Sequence, residues 1–239
     1  MRARVFFTVA EVDPALLQDR TVVVIDVLRA TSSVVAALAA GARAIYPVAG
    51  AEEAIRLASS LGREDTLLCG ERKGHKVAGF DLGNSPPEFT PERVEGKRLV
   101  MSTTNGTRAF QAASTGRRVL AASLLNLDAV ARELAGVEDL VVVCAGREDR
   151  FAIEDALCAG LLLERLLDGD EGEMDDAARA SLLLARALTP DAAFLRSVEA
   201  GQALLDIGLG DDVEHCARRD VHAIVPEMRD RMIRKADGT

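Results

Sequence analysis

Several things this sequence lacks bear on what it can do. Its cysteines, Cys69, Cys144, Cys158 and Cys216, are scattered and include no Cys-x-x-Cys pair, the usage expected of a reduced, cytoplasmic chain rather than a disulfide framework. With His75, His215 and His222 as the only histidines, a zinc cage is poorly supplied. A metal would instead be held by carboxylates, hence a hard ion such as magnesium (Mg2+). No apolar run reaches membrane-spanning length, and the stretch from Met1 to Thr8 reads as a first strand, its apolar part being too short for a signal peptide. Basic residues are outnumbered, and the net charge of -9 argues against broad nucleic-acid binding. Neither a Walker glycine loop nor a Gly-x-Gly-x-x-Gly is present.

What is present is an ordinary globular composition over 239 residues, 49% hydrophobic and 28% charged. It suffices for a single domain over residues 1–239, or for two intimate lobes dividing near 120–138. The pattern alternates strand and helix. Val22 to Ile25 is a β-branched run typical of a strand buried on both faces. Thr31-Ser32-Ser33 is expected to cap a helix that runs through Ala40 and stops at Gly41. Further strands are expected at Ala44–Val48, Leu67–Cys69, around Leu99, at Val119–Ala121 and at Leu140–Cys144, with a last one at Ala223–Val225. Helices are expected at Ala51–Leu61, Thr107–Ala113, Leu127–Leu134 and Ile153–Leu167, and the last third is mostly helical. The fold class is therefore α/β, a mixed, largely parallel sheet with helices on both faces. Two strand–turn–helix units echo one another: Thr21 to Thr31 leads into a helix ending at Ala40-Gly41, and Asp139 to Arg147 into one ending near Ala159-Gly160. Duplication and convergence explain the echo equally well.

The densest chemistry lies in Ser102-Thr103-Thr104-Asn105-Gly106-Thr107, after the apolar run Leu99-Val100-Met101 and before Arg108. Such a loop entering a helix offers hydroxyls, free backbone N–H groups and a positive helix end to an anion, most often phosphate. Asp26 ends a buried strand, from where a carboxylate can hold a metal, attack phosphorus or simply cap a helix. Arg29 suits bidentate contact with phosphate or carboxylate. Glu154-Asp155 opens a helix, where acids complement the dipole but two together also invite a metal. Glu71-Arg72 opens a long segment, Gly70 to Glu88, punctuated by six glycines and prolines, and one of the pair is expected to face the same crevice. Lys73 and Lys76 read as solvated, and Cys144 and Cys158 as small core residues. Haloacid-dehalogenase-type phosphatases need a second aspartate two residues after the first; Leu28 stands there, so that family is disfavoured.

Taken in order, Ile25-Asp26-Val27-Leu28-Arg29-Ala30-Thr31-Ser32-Ser33, Cys69-Gly70-Glu71-Arg72-Lys73-Gly74, Gly79-Phe80-Asp81-Leu82-Gly83-Asn84-Ser85-Pro86 and Ser102 to Thr107 resemble the successive motifs of the 2-phosphosulfolactate phosphatase (ComB) family. Cys144-Ala145-Gly146, Phe151 to Asp155 and Asp212 to Cys216 fit it as well, and the resemblance is weakest at Leu166 to Leu195. It implies a magnesium-dependent phosphatase with its own α/β fold. Such an enzyme would convert 2-phospho-3-sulfolactate to 3-sulfolactate and phosphate, in the second step of coenzyme M biosynthesis. On that basis the expected catalytic residues are Asp26, Arg29, Glu71 and Arg72. The expected substrate contacts are Thr31, Ser102, Thr103, Thr104, Asn105, Gly106, Thr107, Arg108 and Arg147. Magnesium would lie on Asp26 with Glu154 or Asp155. The expected partner is a small anion carrying phosphate, sulfonate and carboxylate, with neither nucleic acid nor membrane, and a homodimer is the base-rate expectation. A phosphatase for another small phospho-acid and a non-catalytic anion sensor are the rival readings.

Overall fold

Five consecutive β-branched or aliphatic residues leave no polar face to water, so Thr21–Ile25 belongs in the middle of a sheet, and all five are buried. In the computed structural model, which describes residues 1–167 and 172–236, this segment is β2, preceded by β1 (Arg2–Phe6). The chain continues through α1 (Ala30–Ala39), β3 (Ala44–Pro47), α2 (Ala51–Leu61), β4 (Thr66–Arg72), β5 (His75–Lys76), α3 (Pro91–Val94), β6 (Arg98–Ser102) and α4 (Gly106–Ala113). Then follow β7 (Arg118–Ala122), α5 (Leu127–Glu133), β8 (Asp139–Cys144), α6 (Ile153–Leu166), β9 (Glu173–Met174) and α7 (Asp176–Ala187). The short helices α8 (Ala192–Ser197), α9 (Glu199–Asp206) and α10 (Gly210–Cys216) precede the hairpin β10 (Pro226–Arg229) and β11 (Met232–Lys235).

The strands form one sheet in the order β5-β4-β6-β3-β11-β10-β7-β2-β8-β1-β9. It contains two parallel blocks, β7-β2-β8-β1-β9 and β3-β6-β4. The β10–β11 hairpin joins them with antiparallel pairing on both sides. This is the mixed, largely parallel α/β sheet expected from the alternation of elements.

Side-chain alternation sorts the layers. Val23, Ile25, Val142 and Cys144 share a core with Val130 of α5, Leu157 of α6 and Leu182 of α7. Their neighbours Val22, Val24, Val141 and Val143 face the other way, onto Val34 and Leu38 of α1 and Phe110 of α4. Ile45, Leu99 and Met101 of the second block join that same cluster, so α1 and α4 share one apolar core with both blocks. The consequence is visible in α1 itself, which is buried from Ala30 through Leu38 and carries no charged residue, as a helix enclosed on all sides must. Helix α2 covers the outer face of the second block, with Ala54 and Ala58 against Leu68 and Val100.

Three local expectations are corrected. The Thr31-Ser32-Ser33 hydroxyls do not cap α1, which begins at Ala30; they lie buried in its first turn, where Thr31 and Ser32 donate back to the Asp26 and Val27 carbonyls just after β2 and Ser33 donates to the Asn84 carbonyl. Ala223–Val225 is not a strand; the strands lie just beyond, in a hairpin turned by Asp230 and Arg231, both with positive φ. Arg118 of β7 reaches Glu227 of β10 at 3.0 Å, so the hairpin docks through ion pairing as well as apolar contact. Finally, α6 runs to Leu166, as the expected Ile153–Leu167 helix does, and does not end with the echoed unit near Gly160. There a Cβ would lie 1.9 Å from the carbonyl oxygen of Ser181, so glycine is what lets α6 and α7 approach backbone to backbone.

Gly160→Ala is therefore expected to destabilise the protein by about 1–3 kcal/mol, the usual penalty of overpacking. Urea unfolding checks it, and an unchanged midpoint would show that the α6–α7 contact yields without strain.

Candidate functional site

Asp26 follows directly on β2, and by alternation its side chain falls on the α1–α4 side. It is buried. One carboxylate oxygen accepts the N–H of Ala30 at 3.1 Å. The other faces Gly106 so closely that a Cβ there would come within 2.7 Å of it and 2.3 Å of Ala30 Cβ. Glycine at the start of α4 thus gives Asp26 its place. The Thr31 hydroxyl accepts the Asp26 N–H at 3.0 Å and donates to the Asp26 carbonyl at 2.8 Å, fixing the backbone rather than reaching a ligand.

Around Asp26 the loops after β2, β4, β6 and β8 enclose a cleft of about 370 Å³. Its acids are Asp26, Glu71, Glu154, Asp155 and the exposed Glu148; its cations are Arg29, Lys73 and Arg147. Asn84, Thr103, Thr104 and Asn105 also line it, and Ala200, Ala203, Leu204 and Ile207 at α9 close one side with apolar surface. A larger cleft of about 800 Å³, lined by Tyr46, Leu57, Phe110 and Met228 among others, shares none of these residues.

Hydrogen bonding separates the side chains that brace the site from those left open. The Glu71 carboxylate accepts the N–H of Thr104 at 2.7 Å, that of Gly74 at 2.8 Å and the Thr104 hydroxyl at 3.1 Å, and so pins the β6–α4 loop to the β4–β5 turn. Asp155 accepts Val27 N–H at 2.8 Å and Gly146 N–H at 3.2 Å, one on each oxygen. Arg29 is buried, donating to Asp212 at 2.5 Å and to the Gly74 carbonyl at 2.9 Å. Ser85 donates to the other Asp212 oxygen at 2.6 Å. Arg72 braces β4 to β6 through the Ser102 carbonyl and hydroxyl and does not line the cleft. Arg108 pairs with Asp149 at the surface, also outside the cleft.

The hydroxyls of the Ser102–Thr107 loop, expected to cradle an anion, each have a protein partner, Thr103 and Thr107 within the loop and Ser102 and Thr104 on β4. Ser102 receives Arg72, and the Thr103 and Thr107 side chains bond reciprocally to each other's backbone. Asn105 Oδ1 accepts the N–H of Glu148 at 3.1 Å, tying this loop to the one after β8. What remains open is the N–H pair of Asn105 and Gly106, which has no hydrogen-bond partner among the described residues. These groups lie at the start of α4, where orphan amides and the helix dipole favour negative charge.

Burial dominates the acids. It raises the Asp26 carboxyl to about 7; the Ala30 N–H works the other way, and the charges of Glu71 and Glu154 add to the rise. Asp155 is pushed well up by burial and then by Asp26 and Glu154, and Glu154 is raised by burial. Clustered acids with raised pKa values in a cleft are a physical mark of a functional site. Cys144 and Cys158 fulfil their reading as core residues, with burial pushing both thiols up.

Lys73 is exposed, as read from the sequence, and also lines the cleft from the β4–β5 turn with no ion pair among the described residues; the role of Asp212, which holds Arg29, was missed. Asn84 was missed too, although its glycine- and proline-rich segment had been singled out. Asn84 is 4% exposed, and its side-chain oxygen has no hydrogen-bond partner.

Comparison with known proteins points one way. The family model described as 2-phosphosulpholactate phosphatase matches residues 6–231. A protein of Caldanaerobacter subterraneus subsp. tengcongensis, named "Probable 2-phosphosulfolactate phosphatase", is 39% identical over 220 residues, 91% of each chain. Relatives of the same name from Carboxydothermus hydrogenoformans (41% over 211 residues, 88% of this chain and 87% of theirs) and Symbiobacterium thermophilum (42% over 213 residues, 88% and 91%) are similar to it.

Because the folded Asp26 carboxyl binds its proton more tightly than an unfolded one, the folded state holds more protons between pH 4 and 7. Stability of the metal-free protein therefore falls as pH rises toward and through 7. Asp26→Asn is expected to be more stable than the parent at pH 8 and to show a shallower decline from pH 5. Urea unfolding at both pH values checks this; equal slopes would mean that the Asp26 carboxyl is not held high.

Proposed function

The chain belongs to the 2-phosphosulfolactate phosphatase family, and from that premise we propose that it hydrolyses 2-phospho-3-sulfolactate. Water and the phosphate ester give 3-sulfolactate and inorganic phosphate, the P–O bond to the lactate oxygen breaking and that oxygen taking a proton. The observation that carries the reading is the convergence of four loops on Asp26, with Asn105 at the start of α4 and the cations Lys73 and Arg147 lining one small cleft and the unpartnered Gly106 N–H directly behind Asn105. Three anionic groups on a three-carbon frame need several donors at once, and phosphoryl transfer is chiefly a matter of positioning and electrostatic stabilisation.

In this reading the Asn105 and Gly106 N–H groups bind one anionic end of the substrate. Arg147, whose nearest acid is Glu199 at 4.0 Å, and Lys73 meet the others. Glu71, Asp155 and Asp212 hold the loops and Arg29 in register. The apolar side of α9 limits water. Magnesium fits the remaining charge balance: Asp26 and Glu154 are buried acids raised by their surroundings, and the nearby Arg29 is already bound to Asp212. Asp26 and Glu154 would hold the ion. When bound, it supplies positive charge against the phosphoryl oxygens. Four buried free cysteines support placing the enzyme in the cytoplasm, and its product belongs to coenzyme M or sulfolactate biosynthesis. Among the described residues no helix is long and apolar enough to cross a membrane.

Phosphate release from 2-phospho-3-sulfolactate tests the proposal against a panel of other phosphate monoesters. The expected result is the highest kcat/KM on the sulfolactate ester, loss of activity with chelator, and recovery with magnesium. Asp26→Asn should lower kcat by about 10²–10³-fold, the usual effect of removing one main electrostatic partner. A higher kcat/KM on another ester would reassign the substrate, and tight binding without any turnover would indicate a sensor.

A further inference from the structure

Of the four buried acids in the cleft, two are already satisfied. Both Asp155 oxygens accept backbone N–H groups, and both Glu71 oxygens brace Thr104 and Gly74. Asp26 has one oxygen free, and the Glu154 carboxylate accepts no hydrogen bond from another residue among the described residues. Among the described residues no three histidine, cysteine, aspartate or glutamate side chains are arranged to hold a metal ion. The acids alone therefore do not complete a cation site.

The missing oxygen is in the loop before α3. Asn84 lines the same cleft, is more than nine-tenths buried, and leaves its side-chain oxygen without a partner. A buried amide oxygen left unbonded is costly, and natural structures retain few of them without cause. Nor is its position accidental. The Asn84 carbonyl accepts the buried Ser33 hydroxyl of α1 at 2.8 Å, and Ser85 donates to Asp212 at 2.6 Å. Gly83 N–H meets Glu88 at 2.8 Å. Three successive residues are thus locked, and the middle one, Asn84, lines the cleft that also holds Asp26 and Glu154.

We propose that Asn84 Oδ1 is a ligand of a hard divalent cation together with Asp26 and Glu154, and that Asp155 is not a ligand but the brace that aligns Val27 and Gly146. A set of two carboxylates and one amide oxygen, completed by water, suits an ion that keeps part of its hydration shell. The assignment rests on the metal reading above and is tested separately from it.

The probe is Mn2+ alone, titrated into metal-stripped full-length protein, with the free ion followed by electron paramagnetic resonance. The unaltered protein should bind it. Asn84→Leu, similar in volume but without oxygen, should bind at least tenfold more weakly, whereas Asn84→Asp should bind as tightly as the parent or more so. The thermal midpoint without metal reports whether each variant folds, and the Leu–Asp contrast at one position separates loss of an oxygen from loss of structure. If Asn84→Leu binds Mn2+ as the parent does, or if Asn84→Asp is as weak as Asn84→Leu, the assignment of Asn84 is overturned while the metal reading stands. If the parent binds no Mn2+, both fall.

Discussion

Burying a carboxylate with incomplete compensation costs free energy, and this protein does so at the point where its layers meet. Asp26 lies just beyond β2, enclosed by α1 on one side and the start of α4 on the other, with its carboxyl raised to about 7. Much of the surrounding chain can be understood as fixing that group. Thr31 holds its backbone, Ala30 N–H holds one oxygen, and Gly106 lets α4 come close to the other. Stability is given up locally for a charge that a ligand can complete, a common trade at functional sites.

A second tier of contacts carries the long-range geometry. Arg29 bonds Asp212, 183 residues away, and Gly74; Glu71 bonds Thr104 and Gly74; Asn105 bonds Glu148; Asp155 bonds Val27 and Gly146. Each of these holds at least one loop of the cleft in place, so the cleft depends on side-chain hydrogen bonds as much as on the sheet. That suits a site of small volume, in which a shift of about 1 Å in one loop can misplace a reacting group.

The α/β architecture was legible because it follows from period and run length. The β2 and β8 runs, the alanine-rich α1 and the amphipathic α2 appear where the pattern puts them. The β10–β11 hairpin was not legible, because Pro226-Glu227-Met228-Arg229 has weak alternation and its turn lacks the glycine or asparagine that marks such reversals. Among the site residues, Asp26, Arg29, Glu71, Thr103, Thr104, Asn105, Arg147, Glu154 and Asp155 lie together in the cleft. The division between bracing and open groups could not be read, since a threonine hydroxyl offered to a ligand and one bonded to a neighbouring backbone are identical in sequence. Asn84 and Asp212 were missed for the same reason: only the folded chain brings Asn84 to the cleft and Asp212 to Arg29.

The central claim is that these loops form one ligand site organised by Asp26. A crystal structure of the protein grown with magnesium and sulfolactate tests it most directly. The account predicts density for both in the cleft between Asp26, Glu154 and the Asn105–Gly106 amides. Density confined to the larger cleft by Tyr46 and Phe110, with the Asp26 cleft holding only water, would contradict it.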